Sequence, residues 1–331
     1  MSIQQNAFRE SYGLVVLVKG SPEKVMFVER NIPYCVHNLL LKKMNSFISD
    51  KTTSKNNDMD KINWTHSVRF IVKETLTTCK NDANLCNNID FIRYKKGLIF
   101  EDQYDFPHGQ MSAKSKRILF NYMNELYNIE KTDVNEENLV VKPFTSPTCL
   151  FLKKIAGFVT AFMEFEEETG FTFRFDFETI LKLKTVQIQF TGLDGYDYLQ
   201  NFYILEIDKV QKLIRKQSSN KFRVYQNQTL WVSMNSKNRK RLIFREIDKI
   251  TYKPRLIEVN KAIDLIVNQQ KELKKYDYKH ILLNCLMGDS IINVHKNEIK
   301  AMSEKLFLNF VERLDPDIYS RCVKRIRWRD H

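Results

Sequence analysis

The segment Ala161-Phe-Met-Glu-Phe-Glu-Glu-Glu-Thr-Gly170 carries three glutamates whose type and spacing suit the holding of a hard divalent cation. At about 100° per residue on a helix, Glu164, Glu167 and Glu168 share a narrow arc, while Ile155, Phe158, Phe162 and Phe165 cluster on the other side. Like charges three and four residues apart repel. Such a face therefore either lies in water, the commoner fate of an acidic run, or is neutralised by Mg²⁺ or Mn²⁺. Glu166 turns toward the apolar side and is expected to escape near the helix end. Gly170 supplies the left-handed exit that ends a helix.

The surrounding elements must hold that face in place. Residues 12 to 30 are β-branched and aromatic with Gly20-Ser-Pro22 between two runs, which predicts a hairpin. From Tyr34 to about Arg93 the pattern is helical, with a polar break over residues 50–57. Gly97-Leu-Ile-Phe100 returns to strand character and leads to the turn Pro107-His-Gly109. Ser115 to Tyr127 reads as a short helix. Pro143 and Pro147 break the chain before the carboxylate helix, expected over Leu152 to Glu168. Thr185 to Phe190 alternates cleanly and pairs with Phe202 to Ile207 across the Asp194-Gly195 turn. Leu230–Ser233 and Ile243–Ile247 are further strand candidates, and the tail from about Leu256 reads as helical.

These landmarks together resemble the Nudix hydrolase box. Met163-Glu-Phe-Glu-Glu-Glu-Thr-Gly-Phe171 is similar to its second half, Phe106-Pro-His-Gly109 to its opening turn, and the hairpin built on Ser11–Val18 and Lys24–Arg30 to the first hairpin of the family. Within the family the chain resembles mRNA-decapping enzymes of large DNA viruses, of the poxvirus and African swine fever virus type. The resemblance implies an α+β fold: a Nudix-type α/β/α sandwich with a mixed sheet, helical insertions and a helical C-terminal extension. It implies a domain at 1–33 and 96–254 with an inserted segment at about 111–151, an inserted helical domain at 34–95, and the extension at 255–331. Glu164, Glu167 and Glu168 would then be catalytic and, with the Gly109 carbonyl, bind Mg²⁺ or Mn²⁺. Two family positions differ. Ile155 stands where the family has its first glutamate and Met163 where it has arginine, and Gly109 and Gly170 lie 61 positions apart against about twenty in the family.

Composition sets the class of partner. A 331-residue chain has a prior of about two domains. Its formal charge of +13 favours polyanions, most simply nucleic acid. The six cysteines, Cys35, Cys79, Cys86, Cys149, Cys285 and Cys322, form no CxxC pair and no zinc spacing, which predicts reduced thiols. A polar start and a strand-like first apolar run predict neither a signal peptide nor a membrane span. The expected setting is a reducing interior and, by the viral resemblance, the host cell cytoplasm.

With capped RNA as the partner, a methylated guanine needs flanking aromatic rings and a carboxylate for its N–H donors. Trp64 and Tyr198 are the aromatic candidates and Asp194 or Asp197 the carboxylate, each with a plain core or turn role as the alternative. Two basic clusters would hold the RNA body: Lys237, Arg239, Lys240 and Arg241, and Lys324, Arg325, Arg327 and Arg329 around Trp328. A solvated turn and a frayed terminus are the alternatives there. Two rival functions stand beside decapping: hydrolysis of a small molecule such as ADP-ribose, and a catalytically weak RNA-binding module.

Overall fold

The computed structural model describes residues 9–37, 83–101, 103–127, 147–191, 196–208, 252–273 and 304–323, with isolated residues and short stretches between them. Strands β1 (Arg9–Val18) and β2 (Lys24–Arg30) form the expected hairpin, but they touch only near the turn, at Leu17↔Val25 and Val18↔Lys24. Beyond that point they diverge, and the segment from β3 (Tyr104–Asp105) to β4 (His108–Gly109) wedges between them. Phe106 anchors the wedge: its fully buried ring meets Phe27 edge-on at 4.7 Å. Backbone bonds hold both sides, from Leu14 N–H to the Pro107 carbonyl at 3.1 Å and from Arg30 N–H to the Gln103 carbonyl at 2.7 Å.

Among the described residues before this wedge are the short helices α1 (Ala83–Cys86) and α2 (Ile89–Lys95). Three follow it: α3 (Ala113–Tyr127), α4 (Pro147–Thr169) and α5 (Phe177–Lys182). The dipeptide β5 (Phe171–Thr172) follows α4, and β6 (Lys184–Thr191) and β7 (Asp197–Ile207) form the second hairpin. Short strands β8 (Ile214–Arg215), β9 (Val224–Gln226) and β10 (Thr229–Trp231) lead to β11 (Tyr252–Glu258), α6 (Val259–Leu273) and α7 (Glu304–Leu314). The main sheet runs β11-β2-β1-β7-β6, with β1 parallel to β7 and the other pairs antiparallel. The protein is thus of the α+β class with a mixed sheet.

Alternation along the strands builds two cores. Leu14, Val16, Val18, Met26, Tyr203, Leu205 and Ile207 face one way, into a cluster with α3, α4 and α7. Val15, Leu17, Val25, Phe27, Phe202 and Ile204 face the other, into a cluster with Val259, Ala262 and Ile266 of α6. Helices therefore cover both sides of the sheet. On the first side, the rings of Phe158, Phe162, Phe173 and Phe175 interlock edge-on at 4.9 to 5.1 Å. Within α7, Phe307, Phe310 and Val311 are fully buried, and Phe310 lies 4.9 Å from Tyr122 of α3.

Three local expectations differ from the structure. Residues 98–100 form no strand: Gly97, at φ 68°, ends α2, and its N–H bonds the Tyr94 carbonyl at 3.0 Å. The carboxylate helix begins at Pro147, because proline fits a first helical turn whose N–H groups have no helical acceptor. The tail turns helical at Val259 and not at Leu256, since Tyr252–Glu258 is the edge strand beside β2. Pro254 disguises that strand in the sequence, and an edge is where a sheet tolerates a residue without an N–H. Candidate strand Ile243–Ile247 lies outside the described residues.

His37 gives the fold a pH dependence. Burial, and secondarily the Arg30 guanidinium, lowers its imidazole from 6.5 to about 3. The folded protein thus holds His37 neutral, whereas the unfolded chain takes a proton below pH 6.5. Stability from this group is complete above pH 6.5 and is lost as pH falls, by about 1.4 kcal/mol per pH unit. Urea unfolding between pH 6.5 and 5 should show that slope, and His37→Phe should remove it; identical slopes in both proteins would refute the assignment.

Candidate active site

The site begins with register. Tyr12 of β1 pairs with Gly109 and Gly13 with His108, so the Pro-His-Gly turn becomes a strand laid against β1. His108 Nδ1 lies 3.0 Å from the Phe106 carbonyl, which fixes the ring. Helix α4 crosses above, and two glycines set how closely it approaches. A Cβ on Gly157 would come within 2.6 Å of the Tyr12 ring and nearer still to the Tyr203 hydroxyl. A Cβ on Gly109 would come within 2.8 Å of Glu164 Cγ and would overlap the carboxylate itself. Gly157 and Glu164 are seven residues apart on one helical face, so the same stripe of α4 meets Tyr12 at one end and Gly109 at the other.

Glu164 and Gly109, 55 positions apart in sequence, are therefore in contact, and the absent side chain of Gly109 makes room for the carboxylate. Glu167 is half-buried like Glu164, but Glu168 is only 7 % exposed. The acidic face is thus less open than a solvated run. Glu166, expected to escape at the helix end, is 3 % exposed. Its backbone carbonyl instead receives the N–H of Gly170, at φ 70°, which closes the helix. Among the described residues no three His, Cys, Asp or Glu side chains converge as a metal-holding group. The donor type still suits a hard cation, being carboxylate oxygens, with Glu164 seated where a Cβ on Gly109 would displace it.

Ile155 and Met163, the two departures from the Nudix pattern, belong to the apolar framework. Ile155 is fully buried and Met163 packs against the same core. A glutamate at 155 would lie in the hydrophobic cluster, far less well solvated than at 164.

Sequence reasoning missed Glu10 and Tyr12. Both project to the α4 side of β1, and the Tyr12 hydroxyl donates to Glu10 Oε2 at 2.5 Å. Burial first, then the Glu10 charge, raises the Tyr12 phenol far above its usual range, and burial does the same to Tyr203. Both phenols stay protonated at neutral pH. The period of two along Arg9–Val18 was the available signal, since it puts Glu10 and Tyr12 on the face of Leu14 and Val16.

Of the cap candidates, only Asp197 and Tyr198 fall within the described residues. As neighbours on β7 they point to opposite faces, so they cannot grip one base together. Asp197 accepts from the Thr191 hydroxyl at 2.8 Å, while Tyr198 stacks on Phe190 on the side away from α4. Trp64, Asp194, Lys237, Arg239, Lys240, Arg241, Lys324, Arg325, Arg327 and Arg329 lie outside the described residues.

A cavity of about 400 Å³ lies at the other end of β7, lined by Lys19, Lys182, Lys184, Asp176, Glu206 and others. Its charges are mutually satisfied. Lys184 and Lys19 each bond Glu206 at 2.6 Å and hold its carboxyl below the usual range. No described helix is long and apolar enough to cross a membrane, and the described cysteines Cys35, Cys86, Cys149 and Cys322 form no disulfide.

No protein-family model and no curated protein matches the chain. Among solved structures, a NUDIX hydrolase from Alicyclobacillus acidocaldarius is similar over 85 % of this chain and 92 % of its own, at 10 % identity and a TM-score of 0.33. So low an overlap carries no weight for the fold or the chemistry.

Proposed function

We propose that the chain is a Nudix-type hydrolase of phosphoric anhydrides and that its substrate is capped RNA, from which it releases methylated GDP. The observation that carries this reading is the Glu164 carboxylate seated against Gly109, two residues chosen for chemistry from distant parts of the sequence. The glutamates within these five residues offer carboxylate oxygens, the donor type that Mg²⁺ and Mn²⁺ prefer. Glu164, Glu167 and Glu168, with the Gly109 carbonyl, would hold Mg²⁺ or Mn²⁺. Bound there, the ion supplies charge neutralisation on the phosphate oxygens and a lowered pKa for the attacking water. One of the three glutamates takes the proton of that water. Gly109 keeps Glu164 in position by leaving the space it needs. The net charge of +13 supports a polyanionic substrate over a small nucleotide.

The test is product analysis with RNA labelled in the cap phosphate, in Mg²⁺ or Mn²⁺. Methylated GDP is the expected product. ADP-ribose cleaved as fast as capped RNA would move the substrate to small molecules, and retained RNA binding without product would leave a binding module. Cleavage of capped RNA should also weaken steeply with salt, with a log–log slope of about 0.7 per phosphate contacted, and the free cap dinucleotide should show a much shallower slope. Matching slopes and matching rates would remove any role for the positive charge in substrate choice.

A further inference from the structure

Tyr12 touches both halves of the proposed site. Its backbone lies opposite Gly109 in the β1–β4 ladder, and its ring meets α4 at Gly157. Glu164 stands seven residues beyond Gly157, about 10 Å along the helix axis and on the same stripe. One side chain therefore connects the strand beside Gly109 with the helix that carries Glu164.

The contact at Gly157 is close-packed. A Cβ there would lie 2.6 and 2.7 Å from Tyr12 Cδ1 and Cε1, and nearer still to Tyr203 Oη. Neither ring is placed to turn away. Tyr12 Oη donates to Glu10 Oε2 at 2.5 Å, which ties the outer end of the ring back to β1. Tyr203 is 3 % exposed and meets Phe158 edge-on at 5.9 Å. On a neighbouring face of α4, the fully buried rings of Phe158, Phe162 and Phe165 fix the helix against the core. In so dense a packing, the height of α4 above β1 follows from the thickness of the Tyr12 ring.

We propose that Tyr12 is a positioning residue, whose ring sets the height of α4 over β1 and so holds the Glu164 carboxylate against Gly109. The expected effect on turnover rests on the hydrolase reading; the effect on geometry does not. A smaller side chain at 12 lets α4 settle toward the sheet, where Glu164 already fills the space over Gly109. A Cβ at 157 does the reverse and lifts the helix. Either change displaces Glu164, and about 1 Å at a reacting centre costs on the order of 100-fold. Glu10 acts one step further out, by holding the ring.

Tyr12→Ala, Tyr12→Phe and Gly157→Ala test this, assayed with capped RNA at a temperature where each is folded. Tyr12→Ala and Gly157→Ala are expected to lower kcat about 10- to 100-fold with KM nearly unchanged, and to raise the Mn²⁺ concentration that gives half the maximal rate. Tyr12→Phe keeps the ring and should restore most of that loss. Wild-type kcat per folded molecule in Tyr12→Ala and Gly157→Ala would mean that the contact serves stability alone and would overturn the proposal. Equal losses in Tyr12→Phe and Tyr12→Ala would overturn it as well, since the ring would then not be the spacer. A second measurement needs no hydrolysis: the urea midpoints of Gly157→Ala, Gly109→Ala and the double variant. Each Cβ lifts the same helix, so the double variant should lose less than the two single losses together, although the sites are too far apart to touch. Additive losses would remove the link between the two ends of α4. Less than additive losses without methylated GDP from the wild type would remove the hydrolase reading and leave the geometry standing.

Discussion

Glu164→Gln is expected to lower the hydrolysis of capped RNA at least about 100-fold while moving the urea midpoint little. The substitution keeps shape and removes one negative charge from a half-buried position, so packing survives and cation affinity does not. Gly109→Ala should produce a comparable loss with all three glutamates present. Its Cβ would occupy the space of the Glu164 carboxylate, and a displacement of about 1 Å at a reacting centre costs on the order of 100-fold. Glu168→Gln is a different experiment, because a residue 7 % exposed contributes to the fold as well as to the charge, and activity must there be read against stability. Near-normal turnover in both Glu164→Gln and Gly109→Ala at saturating Mn²⁺ would place the chemistry elsewhere in the molecule.

The largest stability effect should come from Phe162→Ala. This ring has no exposure and lies 4.9 Å from Phe173, 5.1 Å from Phe175 and 6.2 Å from Phe158. Truncation loses the transfer energy of the ring and leaves a cavity that three rigid neighbours cannot fill, at a cost of about 3–5 kcal/mol. Typical domains have about 5–15 kcal/mol in all, so the variant should be close to unfolding at physiological temperature. Urea titration checks this: the midpoint should fall sharply at unchanged slope. A shift below about 1 kcal/mol would mean that the aromatic cluster collapses around the gap.

Much of this was legible because local pattern and tertiary role agree. The alternation in Thr185–Phe190 and the apolar run Phe202–Ile207 mark β6 and β7, which pair from Lys184↔Ile204 to Thr191↔Asp197. Gly170 marks the helix end through its own backbone preference. What escaped depends on partners remote in sequence. Strand β11 hides behind Pro254, which is acceptable only because the strand lies at an edge. The burial of Glu166 and Glu168 follows from what encloses the end of α4, which no helical wheel contains. The split of Asp197 and Tyr198 to opposite faces was readable in principle, since neighbours in a strand always diverge.

The pairing of β1 with β7 also bears on how the chain is made. Arg9 lies opposite Tyr198 and Val18 opposite Ile207, each partner 189 positions later. At roughly 5–20 residues per second, the ribosome needs about 10–40 s to deliver the second strand after the first. Throughout that interval the apolar run Leu14–Val18 waits without the strand that flanks it in the sheet. Nascent chains arrested before residue 197 should therefore engage holdase chaperones, and those extended well past residue 207 should be released.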